Sequence, residues 1–149
     1  MVWATSKTFY EAVYMSTWEN NQWSVPILIT PQIVSDGDFL PTGLSYDGKQ
    51  LLLVKSDKKR NTDIWISTFN GNVWSPAKAI EGDINSGSNE DHASFSPDGQ
   101  IIYLSSDRNG GEGGLDLWTS ERDREGMWGK PINMGDEINT DKDESSVFV

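Results

Sequence analysis

The sequence predicts an all-β chain made of repeated units of four antiparallel strands. Three observations carry that prediction. Trp23, Trp74 and Trp128 stand 51 and 54 residues apart, each followed by Ser or Gly. Other marks recur with them: Asp47-Gly48 returns as Asp98-Gly99, Ser56-Asp57 as Ser106-Asp107, and Asp63-Ile64-Trp65 as Asp116-Leu117-Trp118. Between these marks, runs of alternating apolar and polar residues are separated by clusters of Gly, Asn, Asp and Pro, the pattern of half-buried strands joined by turns. A fixed period near fifty in such a chain means an array of supersecondary units.

The elements follow in order. Residues 2–6, 13–16 and 23–29 read as three strands of a first unit. Pro41 to Tyr46, Leu51 to Ser56, Ile64 to Thr68 and Trp74 to Ile80 form a second unit, with Asn70-Gly71-Asn72 as a hairpin turn. His92 to Ser96, Ile101 to Ser106, Leu115 to Ser120 and Trp128 to Met134 form a third. Its first turn, Pro97-Asp98-Gly99, has a mechanism: Pro presets φ and Gly accepts a positive φ. Its glycine-rich stretch 110–114 is a hairpin tip. By alignment, 2–6 matches 102–106, so the chain begins at a second strand, and one residue is inserted between Gly48 and Ser56 relative to Gly99 to Ser106.

Residues 144–149 then read as one more first strand. Four consecutive antiparallel strands are one blade of a β-propeller. The expected organisation is one half-propeller domain over 1–149: blade I from 1–30, completed by a 144–149 strand, blade II from 38–80 and blade III from 90–134. That completion is out of reach within one chain. It suits a homodimer in which each copy lends its last strand to the other, closing six blades and covering open strand edges. A piece of a longer ring is the alternative, and nine blades from three chains is another.

Composition narrows the function. Net charge is −11 and the longest basic run is Lys58-Lys59-Arg60. Nucleic-acid binding needs a basic footprint, so it is excluded, and an anionic membrane surface would repel the chain. There is no cysteine, which removes disulfides, thiolate catalysis and Cys-type zinc sites. No stretch approaches the ~18 apolar residues of a membrane-spanning helix. No leader with a basic start and apolar centre opens the sequence; Met1-Val2-Trp3 already reads as strand.

The segment SFSPDGQIIYLSSDR, Ser94 to Arg108, resembles the PD-type, WD-like β-propeller repeat of TolB and its relatives. GGEGGLDLWTSER, from Gly110 to Arg122, continues the pattern. WGKPINMGDEINTDKDESS, from Trp128 to Ser146, is similar to the variant in outer-membrane-associated proteins of Bacteroidetes-type bacteria. The second unit has Tyr46 where the repeat has Pro. The first has Ala12 and Lys7 where the others carry Asp. The resemblance implies a propeller acting as a protein-binding scaffold, periplasmic or outer-membrane-associated. No OmpA-like domain is present, so peptidoglycan binding is not carried over. Related repeats build the propeller of prolyl-oligopeptidase-like enzymes, but the chain has no Gly-x-Ser-x-Gly elbow.

Most recurring residues are expected to be structural. Asp57, Asp107, Asp63 and Asp116 sit at strand ends, where a carboxylate accepts bonds from turn N–H groups. Trp65 and Trp118 are expected between blades, and Trp23, Trp74 and Trp128 over blade edges. The glycine tip lacks the Lys-Ser/Thr of a phosphate loop. Asp141-Lys142-Asp143-Glu144 lacks the Gly and terminal Glu of an EF-hand. His92 and Ser94 share a strand without a nucleophile elbow.

One constellation stands apart. The loop leading into each inner strand is acidic: Asp36 and Asp38, then Glu90 and Asp91, then Asp143 and Glu144. Six blades would gather about a dozen carboxylates at one channel mouth. Such crowding calls for a cation or a basic group, so Ca2+ or a basic peptide is the expected ligand; solvated turn caps are the plainer reading. No motif demands a cofactor. The leading expectation is therefore a non-enzymatic interaction scaffold of the bacterial envelope. Two others stand beside it: an excised or engineered half-propeller that only self-assembles, and an enzyme acting on glycans or peptides through Asp38, Glu90 and Asp143.

Overall fold

The computed structural model describes residues 1–7, 10–36, 38–56 and 61–148. Every regular element among them is a β-strand. Three antiparallel sheets account for the long strands. The first holds β1 (Val2–Lys7), β2 (Tyr10–Met15) and β5 (Ile27–Leu28); a two-stranded hairpin, β3 (Trp18–Glu19) and β4 (Gln22–Trp23), projects between β2 and β5. The second is β6 (Phe39–Leu44), β7 (Gln50–Ser56), β8 (Thr62–Thr68) and β9 (Lys78–Ala79). The third is β10 (Glu90–Phe95), β11 (Ile101–Ser106), β12 (Asp116–Glu121) and β13 (Ile132–Asn133). In the second and third, sequence order is also spatial order, the meander of a propeller blade.

The sheets stack face to face. β6 lies against β1 and β2, and β10 lies against β6, β7 and β8; among the described strands none of the first sheet touches the third. One core sits in each gap. Val13, Ile29, Ile33, Phe39, Leu51, Leu53 and Trp74 fill the first, with Trp65 packed against them. Leu52, Val54, Ile64, Phe95, Ile102, Leu104, Trp118 and Trp128 are central to the second. This division explains the run Leu51-Leu52-Leu53-Val54. Successive strand residues point to opposite faces, and only the middle sheet is covered on both.

The outer strands are shorter than their sequence suggests. The stretch 74–80 keeps only a Phe69–Trp74 bridge and β9, and 128–134 only an Arg122–Trp128 bridge and β13. Both are interrupted by proline, at Pro76 and Pro131, as the stretch 23–29 is at Pro26; proline has no N–H for the ladder and is tolerated at an edge.

The strand register corrects the alignment. A buried serine marks the same place in each sheet: Ser16 Oγ donates to the Ser24 carbonyl at 2.7 Å, Ser67 Oγ to Ser75 at 2.6 Å and Ser120 Oγ to Gly129 at 2.6 Å. Opposite them stand Met1, Leu51 and Ile102. Val2 therefore corresponds to Tyr103, one residue from the expected match, and Ser106 corresponds to Lys55. No residue is inserted between Gly48 and Lys55. The repeated Ser-Asp pairs misled the alignment because they resemble each other without sharing a register position; Asp57 itself lies outside the described residues. Of the expected strand 144–149, residues 144–148 are described and pair with no strand among the described residues.

Candidate functional site

The acidic loops come first, because the sequence singles them out. Glu90 is completely buried at the start of β10. Its carboxylate accepts from Ser86 N at 3.0 Å, Ser86 Oγ at 2.6 Å, Ser106 Oγ at 3.0 Å and Arg108 Nη2 at 2.9 Å. Arg108 in turn donates to the Ile84 carbonyl at 2.5 Å and lies 5.5 Å from the Trp118 ring centroid. A buried charge needs such pairing and hydrogen bonding, so this cluster staples the loop to the sheet. Asp91 is exposed and accepts from the Thr62 hydroxyl of the second sheet.

The other loops are engaged in the same way. Glu144 accepts from Thr140 N at 3.2 Å and Thr140 Oγ1 at 2.6 Å, and Asp143 accepts from Leu115 N at 2.9 Å. Lys55 Nζ sits 3.2 Å from Asp36 and 3.1 Å from Asp38. Asp38 beside it and the Lys55 ammonium hold Asp36 down to about 2, whereas burial and Asp36 push Asp38 up. Each of the five predicted carboxylates thus has a different partner. Among the described residues no group of three or more His, Asp or Glu is arranged to hold a metal ion.

Two of the recurring aspartates, Asp107 and Asp116, accept from loop N–H groups. Asp107 accepts from Asn89 N and Nδ2, both at 2.7 Å. Buried Asp116 accepts from Glu112 N at 3.0 Å and Gly113 N at 3.4 Å, tying down the glycine tip. A Cβ at Gly111, Gly113 or Gly114 would collide with Asp116, the Lys142 carbonyl or Asp143. The tip is glycine-rich because the 140–143 loop crosses it closely. Asp63 is half-buried on β8, opposite Lys55.

The tryptophans separate into buried and open ones. Trp74 donates through Nε1 to Met15 Sδ at 3.3 Å, across the first gap. Trp128 lies beneath the Arg122 guanidinium, 4.3 Å from its ring centroid. Trp118 Nε1 donates to the Ser106 carbonyl at 3.2 Å, and Trp65 meets Phe39 edge-on at 5.3 Å. Trp23 is 49% exposed and touches Trp18, itself 57% exposed, at 5.2 Å.

Around these open rings lies a cavity of about 570 Å³. Trp18, Trp23, Tyr46 and Trp74 line it, with Glu19 and Asp47 among its polar groups. Tyr46 is 89% exposed. Among the described residues no Lys, Arg or His side chain lines the cleft, although Met1, which bears the terminal ammonium, does. Sequence reading missed Trp18 and Glu19 because neither recurs, and it noted Tyr46 only as a departure from the repeat's Pro. It also missed a repeated staple: Asn85 brackets Ile64, accepting from its N–H at 2.7 Å and donating to its carbonyl at 2.9 Å. Asn139 does the same to Leu117 at 2.8 and 3.0 Å, and Thr30 to Val13 at 2.8 and 3.5 Å. The signal was present, since Ile84-Asn85 returns as Ile138-Asn139 at the same 54-residue spacing as Trp74 and Trp128.

No family model matches the chain, and no curated protein matches it. Solved structures do. It is similar to TolB from Acinetobacter baumannii at 19% identity and a TM-score of 0.61, over 93% of this chain and 30% of that one. A structure assigned to TolB from Agrobacterium tumefaciens matches at 21% identity and a TM-score of 0.54, over 80% of this chain and 38% of that one. The chain spans about a third of the length of these structures. At such identities the likeness is one of fold: antiparallel four-stranded sheets in the arrangement of a TolB-like β-propeller.

Proposed function

We propose that the chain is a non-enzymatic β-propeller scaffold for protein–protein interaction in the bacterial cell envelope. The observation that carries this reading is the open aromatic cleft between the first and second sheets. Large rings presented at low entropic cost are what protein-binding surfaces use, and Trp18, Trp23 and Tyr46 are otherwise left in water. The inner-loop carboxylates support it from the other side. Glu90, Asp91, Asp143 and Glu144 accept from loop or neighbouring-strand donors and Asp38 pairs with Lys55 through one oxygen, its Oδ1 being buried without a partner. The reading puts the basic ligand at the cleft, where Glu19, accepting from Thr17 Oγ1, and Asp47, accepting from Ser45 Oγ and Lys49 N, stand beside exposed rings in a chain of net charge −11. A Lys or Arg side chain gains from both the carboxylates and the ring faces. Envelope placement rests on the resemblance of Ser94–Arg108 and Trp128–Ser146 to repeats of that compartment. The same reading makes the platform homo-oligomeric, closed by exchanged strands.

Selection of displayed random peptides on the purified chain tests the cleft. Enriched peptides should be basic, and the Trp18→Ala/Tyr46→Ala double variant should bind them at least ~10-fold more weakly, about 1.4 kcal/mol. Asp143→Asn should bind them as the wild type does. Peptides that ignore the double variant, or no enrichment, would overturn the reading.

A further inference from the structure

β1 is an edge strand. In the second and third sheets the corresponding strands, β7 and β11, carry inner strands β6 and β10; β1 pairs only with β2 among the described residues. The face beside that edge is also unspent. Trp3 and Tyr14 stack on each other at 6.2 Å, at the register positions where Leu53 and Trp65, or Leu104 and Trp118, meet a neighbouring sheet.

The chain contains a segment suited to this edge. The loop Thr140–Glu144 duplicates the loop Ser86–Glu90 bond for bond. Ser86 and Thr140 each donate backbone N–H and hydroxyl to the glutamate four residues on, and each accepts from the N–H two residues on, at 3.1 Å. The first loop delivers Glu90 into β10. There the glutamate gains a second set of partners, the Ser106 hydroxyl at the end of β11 and the Arg108 guanidinium two residues beyond it. Glu144 has the loop half of this cradle, and the strand half is to be supplied.

The register shows which strand can supply it. Counted from the buried serines, Thr5 holds the position of Ser106, and Lys7, two residues on, holds that of Arg108. Hydroxyl matches hydroxyl and cation matches cation. The second sheet offers no such match, because Phe39 stands opposite Lys55 where Glu90 stands opposite Ser106. Carried over to 144–148, the β10 register places Val147 opposite Trp3 and Phe148 opposite Val2. Phe148 is 97% exposed in the single chain.

Its own β1 is out of reach. Glu144 is pinned to the third sheet, its N–H donating to the Leu115 carbonyl at 2.7 Å and its carbonyl accepting from Ser105 Oγ at 2.7 Å. The five residues beyond it in the sequence extend at most about 18 Å. Packed sheets stand about 10 Å apart, and the second sheet lies between the first and the third.

Resting on the homo-oligomeric reading above, we propose that residues 144–148 form the inner strand of the first sheet of a second copy, with Glu144 opposite Thr5 and paired with Lys7. Two copies exchange strands reciprocally, so the glutamate cradle in each first sheet is built from both chains.

Light scattering on a size-exclusion column tests both levels. The wild-type chain should have twice the 16.6 kDa mass. Glu144→Lys and Lys7→Glu should each fall to the monomer mass. An equimolar mixture of the two should return to the dimer mass, because in the mixed pair each residue 144 faces an opposite charge at position 7. That recovery also shows that the variants are folded. A monomeric wild type overturns self-association and this inference together. A dimeric wild type whose variants stay dimeric, or whose mixture stays monomeric, overturns the Glu144–Lys7 pairing alone. Peptide binding at the cleft reports separately on the scaffold.

Discussion

The first and third sheets carry the same marks and meet different fates. Trp128 opens the outer segment of the third sheet and is 6% exposed; Trp23 holds the same place in the first and is 49% exposed. Both follow a buried strand serine, Ser120 or Ser16, that bonds a carbonyl of the outer segment. What differs is the neighbour. Trp128 lies in the core between the second and third sheets, whereas no described sheet lies across from Trp23. A repeat motif specifies where a ring is presented, and the adjacent unit decides whether that ring becomes core or surface.

Mutation can break this comparison most sharply at those rings. Trp128→Ala should cost about 3–5 kcal/mol, the usual loss for a buried aromatic, and Trp23→Ala about 1 kcal/mol or less. Urea unfolding of the two variants separates them, and equal costs would mean that the first sheet is covered after all. A smaller contrast lies in the side-chain staples. Asn139→Ala strands both polar groups of Leu117 and should cost about 1–3 kcal/mol. Thr30→Val should cost less, because one of its two bonds to Val13 is 3.5 Å long. The ratio of their unfolding midpoints checks this.

The smallest effect is in pH. His92 sits half-buried on β10 with Nδ1 unpartnered, and burial pushes its pKa down from 6.5. The folded chain therefore keeps it neutral while the unfolded chain takes up a proton near pH 6.5. Its contribution is complete above that pH, is lost as pH falls towards the folded value, and is constant below it. His92→Gln should flatten that part of the melting profile between pH 7 and pH 5. An unchanged slope in the variant would place the acid sensitivity elsewhere.

Much of the fold was legible in the residues. Ile101–Ser106 is a strand with the bounds its alternation predicts, and the Asp98-Gly99 turn is locked as its residues suggest, Asp98 accepting from Ser96 Oγ at 2.6 Å and Gln100 N at 3.1 Å. Register was harder. Ser56-Asp57 and Ser106-Asp107 look alike, yet backbone pairing sets Lys55 beside Asp63 and Ser106 beside Asp116. A one-residue slip is invisible in composition, although it turns every side chain to the other face. The acidic loops were legible as a pattern and not as a role. Glu90 and Asp38 look equivalent in sequence, but one is buried on Arg108 and the other shares Lys55 at the surface.

Alternation, turn residues and the fifty-residue period determined by themselves that this chain is a row of antiparallel sheets, because those signals act over a few neighbouring residues. Only the tertiary structure decided which tryptophans are core, which carboxylates are neutralised and which strand edge is left open. Those outcomes depend on what the next sheet, some fifty residues away, brings into contact.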